Sequence, residues 1–360
     1  MMMIKHLYIH VPFCDNICGY CDFAHTIINK ELVKKYLDSI REDLDNLPFS
    51  DYETIYIGGG TPSSLDVSDL DILLSYIDKY TNKLKEYTIE VNPDSVDIDK
   101  IKIMKNYNIN RVSIGVQSTN DDLLKIMNRK HDFETVKNVV SLFKQEGIDN
   151  ISIDLMYSLP FQTMEILKKT IEDILSLDVK HISIYSLTIE ENTLFNKKGY
   201  KNLDIDTEAD MYEYIEKTLR DNDYIHYEVS NFTKVGFESR HNLGYWSYDD
   251  FIGLGPGSAS KVENRRYTYT KNVRNYLNNK TIVEDLLLDK NDLMFENVMM
   301  SLRTIYGLDL DLFKQRYQID FIDQYKDAIN KNKQHLLFKD NHCICKDLEI
   351  LNSILVDFLD

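Results

Sequence analysis

The run HLYIHVPFCDNICGYC, residues 6–21, joins a strand pattern to three closely spaced cysteines. Its first half, HLYIHV, has the apolar and β-branched composition that predicts a strand. Cys14, Cys18 and Cys21 follow in Cys-x3-Cys-x2-Cys spacing, with no fourth cysteine nearby. Thiolates are soft ligands that favour iron–sulfur clusters and zinc. Electron-transfer clusters are usually closed by four cysteines, so a cluster held by three leaves one iron open to an outside molecule. The run therefore predicts a cluster whose open iron binds another molecule, and not a cluster that only transfers electrons.

The three cysteines fit a packing role, a disulfide framework or a zinc site less well. Buried cysteines often act as small apolar side chains, but three of only five fall in this one loop. An odd cysteine count in a large chain without a secretory signal argues against a disulfide framework. A structural zinc site needs four ligands, so His10 or His25 would have to supply the fourth. We expect both histidines to be structural or to support the ligands, and we assign no role to Cys343 and Cys345.

The composition limits the partners and the location of the protein. The chain has 360 residues and a formal net charge of −17, from 42 basic and 59 acidic residues. This length allows one large domain and a smaller one. Because nucleic-acid binding depends on neutralising phosphates with Lys and Arg, the acidic charge argues against nucleic-acid partners. No apolar run approaches the roughly 20 residues that a membrane span needs. We therefore expect a cytoplasmic protein without a transmembrane segment.

Strand and helix patterns alternate along most of the chain, which is typical of βαβ units and a parallel sheet. Helices are expected at 30–44, 67–80 and 163–177, and residues 224–232 are a candidate for a further strand. The fold class is therefore α/β, a partial (β/α)6 TIM-type barrel. From about residue 290 we expect a small, mostly helical domain with a terminal hairpin. The six expected barrel strands are 6–11, 54–59, 87–92, 111–118, 150–159 and 181–187.

Polar residues occur where these strands are expected to end. Glu90, Gln117 and Asp154 lie at or near the C-terminal ends of three strands, and Arg129 follows one of them. Barrel active sites are built at that end, and a buried carboxylate without a partner is costly. The glycine-rich turn GGGTP, residues 58–62, could expose backbone groups to the amino and carboxylate groups of a small zwitterion. Arg129 could neutralise a carboxylate. Together these residues predict a ligand site beside the cysteine loop.

These residues resemble the radical S-adenosylmethionine (radical SAM) superfamily. The cysteine loop with Tyr20 before its last cysteine is the cluster motif of that superfamily. The resemblance implies that Cys14, Cys18 and Cys21 bind a [4Fe-4S] cluster, whose open iron is chelated by S-adenosylmethionine. It also implies reductive cleavage to methionine and a 5′-deoxyadenosyl radical, which the cofactor supplies while the protein orients it. We assign no protein side chain a catalytic role.

Within the superfamily, the chain is similar to the oxygen-independent coproporphyrinogen III oxidase group along nearly its whole length. YIHVPFC, GGGTP, IEVNPD, RVSIGVQS, NRKH and IDLMYSLP follow in the order and spacing of that group. The similarity implies a radical SAM core barrel over 1–232, a connecting segment over 233–285 and a winged-helix-like domain over 286–360. The residues implied to contact S-adenosylmethionine are Tyr8, Tyr20, Gly59, Gly60, Thr61, Glu90, Gln117, Arg129, Asp154, Thr188 and Ala259.

Two features resemble the haem chaperones of the HemW type more than the oxidases. Phe23 stands where the oxidases have a further cysteine two residues after the motif. The run HNLGYW, residues 241–246, matches the HNxxYW signature of the chaperones. This resemblance implies haem as a third cofactor, with His241 as its ligand beside Tyr245 and Trp246. Imidazole is a suitable ligand for iron.

The expected function is therefore to bind haem and deliver it to haemoproteins, with membrane-bound respiratory proteins among the candidate recipients. A homodimer is a candidate assembly. Two alternatives stay open, namely oxidative decarboxylation of coproporphyrinogen III in porphyrin metabolism and a radical SAM methyltransferase of the same group. The sequence leaves open whether S-adenosylmethionine is cleaved productively, and therefore whether the protein is an enzyme.

Overall fold

The computed structural model describes residues 4–47 and 51–359. Its main sheet has twelve strands, and six parallel strands follow one another in chain order at its centre. These six strands confirm the expected α/β class, and each lies within two residues of its predicted bounds. Between the first two, the short strands β2 (Phe13–Cys14) and β3 (Thr26–Ile27) pair across the cysteine loop. The six are β1 (His6–Val11), β4 (Thr54–Gly59), β5 (Glu86–Val91), β6 (Arg111–Gln117), β7 (Ile151–Tyr157) and β8 (His181–Ser186).

Helices connect the parallel strands and pack their apolar faces on the sheet. Most begin at a side chain that caps the first turn, such as Asn29, which accepts from the N–H groups of Glu31 and Leu32. The helix expected at 67–80 ends at Ile77 and continues as a 3-10 turn over Asp78–Tyr80. These helices are α1 (Lys30–Asp45), α2 (Val67–Ile77), α3 (Ile98–Asn106), α4 (Asp121–Ile126), α5 (Phe133–Gln145), α6 (Met164–Leu175), α7 (Leu194–Lys197) and α8 (Ile205–Asp221).

The alternation of side chains along each strand separates an apolar face from a polar one. On β6, Val112, Ile114 and Val116 are fully buried in the core that includes the helices. Since successive side chains of a strand point to opposite faces, the remaining β6 residues face the interior of the barrel. They line a cavity there: Arg111, Ser113, Gly115 and Gln117.

The sheet continues beyond the six parallel strands on both edges. Residues 224–232, a candidate single strand, form β9 (Ile225–Glu228) and part of β10 (Asn231–Thr233), which pair antiparallel. A turn separates them, where the Glu228 carboxylate accepts from the N–H of Ser230. On the other edge β11 (Phe251–Leu254) pairs parallel to β1. An antiparallel meander follows: β12 (Ala259–Val262), β13 (Arg265–Tyr269) and β14 (Ile282–Leu287). The segment 233–285 thus adds strands to the sheet, while the expected domain boundaries stay predictions.

Helix α9 (Arg240–Trp246) carries the HNLGYW run and packs where the parallel strands begin. The buried Glu86 carboxylate, at the first residue of β5, accepts from the backbone N–H groups of Arg240 at 2.8 Å and His241 at 3.0 Å. Gly244 lies so close to β1 that a Cβ atom there would be 2.3 Å from His6 Nε2. The helix therefore lies at the end of the barrel opposite the cysteine loop.

The C-terminal part has its own apolar core and is mostly helical with a terminal hairpin, as the sequence predicts. Its three strands are β15 (Leu308–Asp309), β16 (Leu336–Lys339) and β17 (His342–Cys345). Cys343 and Cys345 are free thiols buried in this core. None of the helices in residues 4–47 and 51–359 is long and apolar enough to cross a membrane. The remaining helices of the chain are α10 (Val273–Asn279), α11 (Lys290–Ser301), α12 (Leu310–Tyr317), α13 (Phe321–Gln324), α14 (Lys326–Lys331) and α15 (Leu351–Leu355).

The contact between Glu86 and α9 gives a stability prediction. The Glu86→Ala substitution leaves the buried N–H of His241 and the partly buried N–H of Arg240 without their acceptor, so we expect it to lower the free energy of unfolding by about 2–4 kcal/mol. Urea denaturation followed by circular dichroism measures this change. Glu53→Ala is the matched control, because Glu53 precedes the neighbouring strand and its carboxylate pairs with the exposed Lys85. Such a pair contributes less than about 1 kcal/mol. Equal stability of the two variants would contradict the assignment.

Candidate cofactor site

A cavity of about 390 Å³ opens at the C-terminal ends of the parallel strands, beside the cysteine loop. It brings together eleven of the residues that the sequence nominates. Its further lining includes Arg111, Ser113, Ser183 and Tyr56, which sequence reasoning did not select. The nominated residues on its wall are Cys14, Cys18, Tyr20, Cys21, Gly59, Gly60, Thr61, Glu90, Gln117, Arg129 and Asp154.

The glycine turn after β4 packs directly on the cysteine loop. The N–H of Gly60 donates to the carbonyl of Val11 at 2.8 Å, which ties the turn to the end of β1. A Cβ atom on Gly60 would lie 2.8 Å from Phe13 O and 3.0 Å from Cys14 Sγ, so the turn requires glycine there. Burial raises the pKa of the Cys14 thiol to about 12, although the Thr61 hydroxyl, 3.7 Å from the sulfur, opposes the shift.

Arg129 connects the cysteine loop to strand β6. Its Nη1 donates to Cys18 Sγ at 3.5 Å, and its Nη2 donates to the carbonyl of Gly115. Burial alone would lower the pKa of Arg129, but the neighbouring Tyr20 and Cys18 raise it above its usual range. Burial also raises the pKa of the Cys21 thiol to about 11. The loop thus presents its sulfur atoms next to a guanidinium group that stays charged.

Glu90 lies on the wall between the glycine turn and the interior of the barrel. Its carboxylate accepts from the hydroxyl of Tyr56 at 2.8 Å and from the N–H of Gly59 at 3.0 Å. Burial raises the pKa of Glu90 to about 7; Asp154 raises it as well, while Tyr56, Gly59 and Arg111 lower it. Glu90 therefore changes its charge near neutral pH.

Among the residues that the structure describes, Arg111 is the largest fully buried side chain, and it faces the same cavity. Within residues 4–47 and 51–359, its guanidinium group has neither a hydrogen-bond partner nor a carboxylate oxygen within 4.0 Å, and its buried Nε is unpaired. Asp154, which accepts from the Ser113 hydroxyl at 2.9 Å, also lies on this wall, and burial raises its pKa. The alternation within RVSIGVQS could have indicated Arg111, because it shares a strand face with Ser113 and Gln117.

Three of the residues nominated to contact S-adenosylmethionine do not line the cavity. Tyr8 lies beside Tyr56, and its hydroxyl is 3.0 Å from His10 Nδ1. Thr188 is exposed in the segment after β8, and Ala259 lies at the start of β12 with its carbonyl against Gly253. Contact of these three with S-adenosylmethionine stays a prediction that the cavity geometry does not support directly.

His241 is separated from the cavity and from solvent. It is 1% exposed, its Nδ1 is 2.7 Å from the Thr54 hydroxyl, and its Nε2 is 2.8 Å from the Tyr245 hydroxyl. Burial lowers the pKa of His241 well below the usual histidine value, so the ring is neutral. Both ring nitrogens are therefore occupied by hydrogen bonds. Of the residues of α9, Asn242 alone lines the cavity. Haem ligation by His241 stays a prediction that requires these bonds to open.

Comparison with protein-family models finds the radical SAM superfamily over residues 8–174 and the HemN C-terminal domain over residues 288–346. The coproporphyrinogen III oxidase HemN of Escherichia coli, a radical SAM enzyme, has a solved structure with a TM-score of 0.86 to this chain. The match covers 99% of this chain and 90% of HemN at 20% identity, so it shows the shared fold.

Curated relatives match over almost the whole chain at higher identity. The haem chaperone HemW of Lactococcus lactis is 37% identical, with coverage of 98% of this chain and 96% of the relative. The haem chaperone HemW of Bacillus subtilis is 35% identical, with coverage of 87% of both chains. The chain therefore belongs to the HemW family of the radical SAM superfamily.

Proposed function

We propose that this protein binds haem together with a [4Fe-4S] cluster and S-adenosylmethionine, and that it delivers haem to haemoproteins. The observation that carries the proposal is the 37% identity to a protein named haem chaperone over 98% of this chain. Phe23, at the position where the oxidases have a further cysteine, supports the same proposal. Membrane-bound respiratory proteins as recipients, a homodimer and a location in the cytoplasm belong to the proposal as well.

Membership of the radical SAM superfamily implies the cluster and S-adenosylmethionine, and the residues present fit them. Cys14, Cys18 and Cys21 would hold three irons, since all three thiols line one cavity. The glycine turn packs against this loop so closely that a Cβ atom at Gly60 would not fit. When bound, this pair of cofactors supplies reductive cleavage of a sulfonium. The side chain of Arg129 holds a positive charge beside Cys18, which would stabilise the anionic cluster.

The remaining wall of the cavity would bind S-adenosylmethionine. Glu90 and Asp154 would offer carboxylate oxygens to its hydroxyl and amino groups, and Gly59, Gly60 and Thr61 line the same cavity as the three thiols. Arg111 supplies one positive charge against these two carboxylates. When both carboxylates are ionised, these three groups carry one net negative charge, which a cationic sulfonium ligand would offset, while the charge of Arg129 lies beside Cys18.

For haem, His241 supplies a neutral imidazole, the form that binds iron. Its hydrogen bonds to Thr54 and Tyr245 would have to break before the ring could reach an iron atom. We therefore expect haem binding at His241 to require displacement of α9 from the barrel. A fixed packing of α9 would instead leave His241 with a structural role.

The pKa of Glu90 predicts how S-adenosylmethionine binding depends on pH. Because burial raises this pKa to about 7, Glu90 is mostly protonated below that pH and ionised above it. Affinity should therefore rise as the pH passes through 7. At about pH 8 the Glu90→Gln variant should bind about 10- to 100-fold more weakly, as expected for loss of a hydrogen bond to a charged acceptor. Calorimetric titration of the reconstituted protein measures both effects. The same step near pH 7 in wild type and variant would contradict the role of Glu90.

Arg111 gives a separate prediction, because its charge lowers the pKa of Glu90. The Arg111→Gln variant should shift the midpoint of the pH-dependent binding upward. Arg111→Lys keeps the charge and is the matched control, with a midpoint near that of the wild type. The measurement is the same titration across the pH range. Identical midpoints in all three proteins would show that Arg111 has no electrostatic part in the site.

The proposed function itself is tested by comparing haem transfer with oxidase activity. Anaerobically reconstituted protein should bind haem in a spectrophotometric titration and pass it to an apo-haemoprotein. With coproporphyrinogen III, a reductant and S-adenosylmethionine, it should form protoporphyrinogen no faster than a control without protein. Robust turnover in that assay would support the oxidase alternative. Failure to bind haem would overturn the proposed function.

A further inference from the structure

A second cavity, of about 1070 Å³, lies outside the barrel mouth, between the cysteine loop, α1 and α10. It has the volume of a site for a large organic ligand. His25 lines this outer groove and also the cofactor cavity, and among the described residues it is the only one that the two linings share. The groove therefore adjoins the proposed cluster site through a single imidazole.

The ring of His25 has one engaged nitrogen and one free nitrogen. Its Nδ1 lies 2.7 Å from the carbonyl oxygen of Phe23, so Nδ1 carries the proton and donates to that carbonyl. Its Nε2 has no hydrogen-bond partner among residues 4–47 and 51–359. Histidines that bind metal ions usually donate their other ring N–H to a carbonyl or carboxylate, which fixes the tautomer and the orientation of the ring. His25 thus has the arrangement of an iron ligand, unlike the buried His241.

The walls of the groove combine apolar surface with positive charge. Ile27 is 49% exposed next to His25, and Leu32 and Leu277 are half-buried on the two flanking helices. Leu32 and Leu277 also pack against the core of the sheet, so only part of each side chain faces the groove. This apolar strip would contact the face of a flat hydrophobic ring.

Three cations and one carboxylate line the same groove, on a chain whose formal net charge is −17. Lys35 pairs with Glu31 at 3.1 Å and Lys271 with Asp22 at 2.9 Å, both at the exposed surface. Exposed pairs of this kind contribute little, so their lysines are available to another anion. The exposed Arg274 has no ion pair within the part of the chain that the structure describes, and guanidinium is suited to bidentate contact with a carboxylate.

We infer that this outer groove is a docking site for haem, with His25 Nε2 as the iron ligand and Arg274, Lys35 and Lys271 as partners of the propionates. The groove offers an imidazole nitrogen, a short apolar strip and cations, which are the groups that would contact the iron, the ring and the propionates of a haem. The inference rests on the proposed haem-binding function and assigns haem a first contact that does not require α9 to move.

The test is a haem titration of the full chain with its cluster reconstituted under anaerobic conditions. The His25→Ala variant should lose the Soret absorption of a histidine-ligated haem and bind haem at least tenfold more weakly. The matched control is His342→Ala. His342 also places its Nδ1 on a backbone carbonyl, that of Asp340, but it lies in the C-terminal hairpin away from the groove. This control should bind haem like the wild type.

His25 Nδ1 also lies 3.7 Å from Cys21 Sγ, so His25→Ala could lower haem binding by disturbing the cluster. A second variant, away from the cysteines, separates the two effects. Iron and sulfide content must match the wild type, and Arg274→Glu, on α10, should weaken haem binding several-fold. Lys326→Glu, an exposed charge reversal in the C-terminal part, is its control and should have no effect.

The outcomes separate the inference from the proposed function. Wild-type protein that binds no haem would overturn both. Wild-type protein that binds haem, with an unchanged Soret spectrum and affinity in His25→Ala and Arg274→Glu, would overturn the docking site alone and leave the proposed function standing. Loss of binding in both variants with both controls intact would support the docking site.

Discussion

The close contact between the glycine turn and the cysteine loop is the constraint on which the site depends. Gly60 lies so close to the backbone of Phe13 that the methyl group of an alanine at position 60 would push the glycine turn and the cysteine loop apart. This contact joins the ends of β1 and β4 and places Cys14 beside Thr61. The thiols and the polar strand ends share one cavity because these two neighbouring strands finish at the same height.

Much of this arrangement could be predicted from local sequence patterns. The strand and helix patterns predict the bounds of the six parallel strands to within two residues. Each strand carries enough β-branched and apolar side chains to be recognised alone. Parallel strands bring their C-terminal ends to one edge, so Glu90, Gln117 and Asp154 could be assigned to one site before the fold was known. Arg111 was missed because a basic residue at the start of a strand is usually read as exposed.

Features that depend on packing between distant segments could not be predicted in this way. The HNLGYW run implies a haem ligand only through its resemblance to the haem chaperones. In the structure α9 packs against β1 and β4, and His241 shares a hydrogen bond with Thr54 of β4, 187 residues earlier in the chain. Thr188 and Ala259 were nominated by position in a family pattern, and neither reaches the cavity wall. His25 was expected to be structural, because only the folded chain brings it opposite α10.

Electron paramagnetic resonance tests whether the cysteine loop and the barrel cavity form one cofactor site. The spectrum of the reduced, reconstituted protein is recorded before and after S-adenosylmethionine is added. We expect the signal of a [4Fe-4S] cluster held by three thiolates, and we expect this signal to change when S-adenosylmethionine binds the open iron. A cluster signal that is identical with and without S-adenosylmethionine would contradict it.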